Sequence, residues 1–175
     1  MTFVDQTLEQ MLLEINSHTQ IFSEEIDKID VSPYARKIAK KIGIEFEADD
    51  VDLDDPAQRI PFYIIRALIL TYENSEERGK LPITTQIYQG NQGYVIRISD
   101  SGEGFDHKKM LLGFNQFLDE VDKQKLIAID KARAAKKHYA TNLGQGTQAI
   151  HLSTFECSYE GCGNTINMKL LIPKN

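Results

Sequence analysis

The residues Asp100-Ser101-Gly102-Glu103-Gly104-Phe105-Asp106 place a carboxylate at the mouth of a loop relieved by two glycines. The loop follows a strand-like alternation, Tyr94 to Ser99, and opens onto a helical pattern that starts near Asp106. Glycine permits backbone angles and close approaches that a side chain forbids. A carboxylate at a strand end accepts hydrogen bonds, for example from an exocyclic amine such as that of adenine. The same residue types are also the ordinary material of turns and helix caps, so the loop alone leaves site and turn both open. A calcium loop fits less well, because the oxygen donors are wrongly spaced and Leu111 stands near where a closing Glu is needed.

A second stretch, Asn142-Leu143-Gly144-Gln145-Gly146-Thr147, runs into Gln148, Ala149, Ile150 and His151. A glycine turn opening a short helix presents free amides and a positive dipole end to a phosphate. A closing segment, Gly163-Asn164-Thr165, then enters a strand from Ile166 to Pro173. In this order the motifs resemble the ATP-binding domain shared by gyrase, heat-shock chaperone ATPases, histidine kinases and mismatch-repair proteins, the GHKL or Bergerat fold. Within that group the chain looks most like the anti-sigma-factor serine kinases, over about Val31 to Pro173. The resemblance implies that Asp100 recognises the adenine amine and that Gly102 and Gly104 let the backbone approach the base. It implies that Gly144, Gly146 and Thr147, in the box opened by Asn142, cradle phosphates, and that Thr165 supports the adenine end.

The helical pattern from Pro61 is apolar nearly all round: Phe62, Tyr63, Ile64, Ile65, Ala67, Leu68, Ile69 and Leu70. Such a helix is expected to be buried against a sheet. Arg66 interrupts it, and a guanidinium there needs a carboxylate, a route to water or an anionic ligand. In the resembled family this helix presents a Glu, a magnesium-holding Asn one turn on, and often a His beyond. Aligning Tyr72-Glu73-Asn74 with its end places Phe62, Arg66 and Leu70 at those positions, on one face. Phe62 has no proton-accepting group, and Arg66 offers donors only. No catalytic or metal-ligating residue is assigned, and a magnesium requirement is in doubt. Two readings of Arg66 stand: it pairs with nucleotide phosphate in place of the metal, or it pairs with Asp100 or another acid and fills the pocket.

Other elements follow from periodicity and punctuation. Residues 1–31 carry Phe3, Val4, Leu8, Met11, Leu12 and Ile15 on a helical face, read as an N-terminal helical extension that packs on its own domain or on a second copy. The resemblance implies that residues 32–175 form a histidine-kinase-like ATPase domain. Ser32-Pro33 reads as a cap and first-turn proline for a helix ended by Gly43. An acidic linker of Glu45, Glu47, Asp49, Asp50, Asp52, Asp54 and Asp55 reads as a solvated loop. Ile83 to Tyr88 alternates as a strand, and Gly90-Asn91-Gln92-Gly93 turns it into the next. A helical region from Lys108 to about His138 would be the family's mobile lid; its basic residues and His138 suit an anion, while a solvated face is the plain alternative. Cys157 and Cys162 flank a hairpin turn and are expected as thiols. His18 and His107 read as surface residues, and His151 as packing behind the second glycine box.

The expected fold is α/β: a two-layer α/β sandwich, a mixed but mostly antiparallel sheet with helices on one face. A net charge of -6 argues against general nucleic-acid binding. No apolar run approaches a membrane span, and the N-terminus lacks a signal-peptide layout, so a cytoplasmic location is expected. The expected function is an adenine-nucleotide-binding regulatory protein, anti-sigma-like or signalling, with weak or no catalysis. The alternatives are an active ATP-dependent serine/threonine or histidine protein kinase, with Glu73 or Glu103 as a substitute acid, and a ligand-free interaction scaffold. The resemblance implies ATP or ADP as ligand and a protein partner: a sigma factor, an anti-anti-sigma-like protein or a response regulator. A second copy of the chain is a further candidate partner.

Overall fold

The computed structural model describes residues 3–17, 19–47, 51–77, 80–112, 127–128 and 152–172. Five strands, β1 (Thr19–Ile26), β2 (Ile83–Gly90), β3 (Gly93–Ser99), β4 (Glu156–Glu160) and β5 (Thr165–Leu171), form a sheet in the order β1-β2-β3-β5-β4. Every neighbouring pair is antiparallel, and a lone parallel bridge joins Phe3 to Cys157. The fold is α/β, compatible with the expected two-layer sandwich.

One face of the sheet carries Ile83, Ile87, Ile96, Ile98, Ile166, Met168 and Leu170, as the alternation of each strand dictates. Against it pack α2 (Val31–Lys41), through Ala35, Ile38 and Ala39, and α3 (Pro56–Glu77), through Ile64, Leu68 and Tyr72. Two polar contacts pin α3 to this core: Tyr72 Oη lies 2.9 Å from Thr85 Oγ1, and Thr71 Oγ1 meets Met168 Sδ at 4.0 Å. The far side of α3 is also covered, Tyr63 clustering with Ile127 and Leu152. Burial on both sides explains why its sequence is apolar all round.

Helix ends differ from expectation in two places. α2 starts at Val31 with Asp30 in the cap position, so Pro33 lies within the first turn and Ser32 is not the cap. Its other end follows the sequence: Gly43 has φ +77, its N–H donates to Lys40 O at 3.1 Å, and Ile44 N–H to Ala39 O at 3.0 Å, a Schellman closure. α3 starts at Pro56 rather than near Pro61. Asp55 closes the new start, Oδ1 accepting Ala57 N at 2.9 Å and its carbonyl accepting Arg59 N at 2.8 Å. The last acid of the linker is thus a helix cap rather than a solvated loop residue.

The N-terminal residues hold two further differences. Thr19–Ile26 is the edge strand β1, paired to β2 through an irregularity between Gln20 and Phe22. α1 (Leu8–Glu14) is the helix expected there, and Met11 and Ile15 pack with Val95 and Tyr88. Val95 and Tyr88 point away from Ile96 and Ile87, so α1 covers the sheet's second face and the helices are not confined to one. No described helix is long and apolar enough to cross a membrane.

Candidate functional site

The acidic loop leaves β3 at the end where β2 begins and β5 starts, and neighbouring backbone holds it on both sides. Asp100 N–H donates to Asn164 O at 3.0 Å, and Ser101 N–H to Lys80 O at 2.9 Å. Ser101 Oγ donates to Pro82 O at 3.2 Å. Asp100 Oδ1 accepts Gly102 N–H at 2.9 Å, closing an Asx-type turn. Each carboxylate oxygen carries two lone pairs, so this bond leaves acceptor capacity for a ligand N–H. Asp106 closes the loop as a helix cap: Oδ1 accepts Lys109 N–H at 3.0 Å at the start of a helical segment over 107–112.

Gly104 has a structural reason of its own, independent of any ligand. Its φ is +76, and a Cβ there would stand 2.7 Å from the Cys162 carbonyl carbon and closer still to its oxygen. Beside it, Phe105 N–H donates to that oxygen at 2.8 Å. A Cβ on Gly163 would in turn meet Phe105 O at 2.6 Å. The loop and the β4–β5 turn are thus pressed backbone to backbone, a clamp absent from the sequence reading. The available signal was Gly161 and Gly163 in the turn set against the glycines of the loop. Phe105 continues the clamp with its ring edge-on to Tyr159 at 5.1 Å, and His107 is half-buried 5.7 Å from Tyr159 rather than a plain surface residue.

Of the expected ligand residues, the structure brings Asp100, Gly102, Gly104 and Thr165 to one end of the sheet. Thr165 is buried and its hydroxyl lies 3.0 Å from Ser99 Oγ. His138, Asn142, Gly144, Gly146 and Thr147 lie outside the described residues, as do His18 and His151. On α3, Phe62, Arg66 and Leu70 are each half-buried while Tyr63, Ile64, Ile65, Ala67 and Leu68 are buried, so the three positions share a partly open face. The Arg66 guanidinium carbon stands 5.9 Å over the Phe62 ring. Among the described residues no ion pair joins Arg66 to Asp100. Glu73 and Glu103 are exposed.

No group of three or more His, Cys, Asp or Glu side chains is placed to hold a metal ion among the described residues. Cys157 and Cys162 are both free thiols: Cys157 is buried, which pushes its thiol well up, and Cys162 is exposed in the turn. Comparison with protein-family models, with curated proteins and with solved structures gives no match.

Proposed function

We propose that the chain is a cytoplasmic, adenine-nucleotide-binding regulatory protein of the histidine-kinase-like ATPase superfamily, similar to anti-sigma-type regulators. The observation that supports this reading most is Asp100: a carboxylate at the end of the central strand, fixed by the Gly102 amide yet able to accept another N–H. Asp100 would take the adenine amine, Gly102 would bring backbone to the base, and Thr165 would brace the strand beside it. ATP or ADP is the ligand that this chemistry suits, with phosphates held by the second glycine box.

Phosphoryl transfer needs positioned charge at the phosphates and a group to orient the nucleophile. Phe62 and Leu70 supply neither, and Arg66 supplies a cation. The chain therefore reads as a binder whose output is a protein contact, with a sigma factor, an anti-anti-sigma-like protein or a response regulator as the partner class.

Equilibrium binding of ATP and GTP to wild type and to Asp100→Asn tests this. Asparagine keeps an oxygen for the Gly102 amide but replaces a charge-assisted acceptor by a neutral one, about a tenfold loss of ATP affinity from the usual difference between such bonds. Equal ATP affinity in both proteins, or equal affinity of wild type for ATP and GTP, would overturn the proposal.

A further inference from the structure

The N-terminal arm, residues 3–17, starts at the β4 edge, where Phe3 joins the helix-covered core, crosses the second face of the sheet from Val4 to Ile15, and is tied to the loop that carries Asp100. At its start, Val4 N–H donates to Cys157 O at 2.9 Å. The Phe3 ring, buried at 5% exposure, stacks on Tyr159 with centroids 5.9 Å apart and planes 15° apart. Tyr159 then meets Phe105 and His107, and Phe105 is the residue whose N–H closes the loop onto Cys162 O. Three contiguous rings therefore join the arm to the loop. At its far end the arm reaches the β2–β3 turn, where Ile15 O accepts Gln92 N–H at 3.1 Å.

Between these ends the interface is a mixture of apolar and ionic contacts. Lys169 is 2% exposed beneath α1, its Nζ paired with Glu156 Oε2 at 2.5 Å and with Glu14 of the arm, while Gln6 Oε1 accepts from it at 3.3 Å. Glu160 accepts Leu8 N–H at 3.0 Å and pairs with Arg97 at 2.6 Å. Partly exposed ion pairs contribute little net stability compared with apolar packing, yet the buried Lys169 demands one geometry of its partners. A helix of seven residues does not persist away from its partner surface. An element that folds only when seated, and whose seat buries Phe3, Met11 and Ile15 beside the ion pairs, opens and closes as one cooperative unit.

We propose that the arm is a reversible clasp on the candidate nucleotide loop. Docked, it seats Phe3 on Tyr159 and holds Phe105 against the β4–β5 turn; released, it frees that turn and the loop together. A partner that captures the arm would thereby change the affinity of the loop for nucleotide, and nucleotide would change capture of the arm by the same factor. The last consequence rests on the nucleotide-binding reading. The clasp itself is tested without nucleotide, so the two can fail separately.

Amide hydrogen exchange on the full chain, with no nucleotide present, compares wild type with Phe3→Leu and Glu14→Gln, and with Lys37→Met as a control on the α2 surface. Phe3→Leu keeps an apolar side chain and removes the ring stack; the Phe105 amide is expected to exchange about 2- to 10-fold faster, the range of an aromatic pair. Glu14→Gln is expected to quicken both the Met11 and the Phe105 amides by about 2- to 5-fold, the range of a partly exposed ion pair. Ile96 and Met168 amides in the core strands stay at wild-type rates, and the control changes none of these sites. A Met11 amide that quickens in Glu14→Gln while Phe105 does not would overturn the proposal, and so would an unchanged Met11. Should Phe3→Leu fail to fold, Glu14→Gln alone decides.

Discussion

Gly104 and Gly43 share a backbone conformation and differ in their surroundings, so alanine at each separates two terms. Both have positive φ, +76 and +77, but a Cβ on Gly43 would meet nothing within 4 Å, whereas one on Gly104 would be driven into the Cys162 backbone. A left-handed angle costs a non-glycine residue about 1–2 kcal/mol. Overpacking against groups that must shift adds about 1–3 kcal/mol. Gly43→Ala should therefore destabilise by about 1–2 kcal/mol, and Gly104→Ala by about 2–5 kcal/mol. At roughly 2–4 °C per kcal/mol for a chain of this size, the second variant should melt about 4–20 °C below wild type. Thermal unfolding followed by circular dichroism, with urea midpoints as a check, reads both. Equal midpoints for the two variants would refute the clamp, since the loop would then be free to move away from the β4–β5 turn.

Lys169 has two acid partners, so Glu14→Gln should lower stability by no more than about 1 kcal/mol because Glu156 still pairs with it. Removing both acids leaves a buried ammonium uncompensated, and Glu14→Gln with Glu156→Gln should cost about 3–5 kcal/mol in urea unfolding; additive effects of the two would contradict the shared-partner geometry. Stability should also fall on acidification. The Lys169 hydrogen bond pulls Glu14 below its ordinary value of 4.5. For Glu160, burial pushes upward but the Leu8 amide and Arg97 outweigh it, and its value is lowered too. The unfolded chain then takes up these protons first, so the contribution is complete above about pH 4.5 and is lost as pH falls through the folded values; urea midpoints measured from pH 7 to pH 3 check the sign. On the alkaline side, burial raises Tyr34 from 10.0 to about 12, so its contribution is complete below pH 10 and vanishes towards pH 12; ultraviolet titration should show its phenolate forming after those of exposed tyrosines.

The elements with a strong local signature were legible in the residues. Alternation in Ile83 to Tyr88 and Tyr94 to Ser99, with turn residues between, marked the central hairpin, and Gly43 marked the end of α2. What escaped has a physical reason in each case. β1 has the exposed sequence of an edge strand, with Glu24 and Glu25 where a central strand would carry apolar residues, so its period is faint. Pro61 looked like a start because proline favours first turns, but Asp55-Pro56 supplies both a cap and a first-turn proline five residues earlier. The clamp at Gly104 depends on a turn nearly sixty residues away in sequence, which no local pattern encodes. Residue type and position at a strand end mark Asp100, and the structure gives its carboxylate one firm partner in Gly102.

The proposed adenine-nucleotide site has a guanidinium on α3, that of Arg66, at the position where the resembled family carries a magnesium-holding asparagine. Thermal unfolding with saturating ATP in EDTA, repeated with magnesium, addresses it in one measurement. At a free ATP concentration 100 times the dissociation constant, a ligand bound only to the folded chain adds about 2.7 kcal/mol, and the midpoint should rise to a similar extent with and without the metal. A rise that needs magnesium would contradict the reading in which Arg66 takes the place of the metal, and no rise under either condition would overturn nucleotide binding.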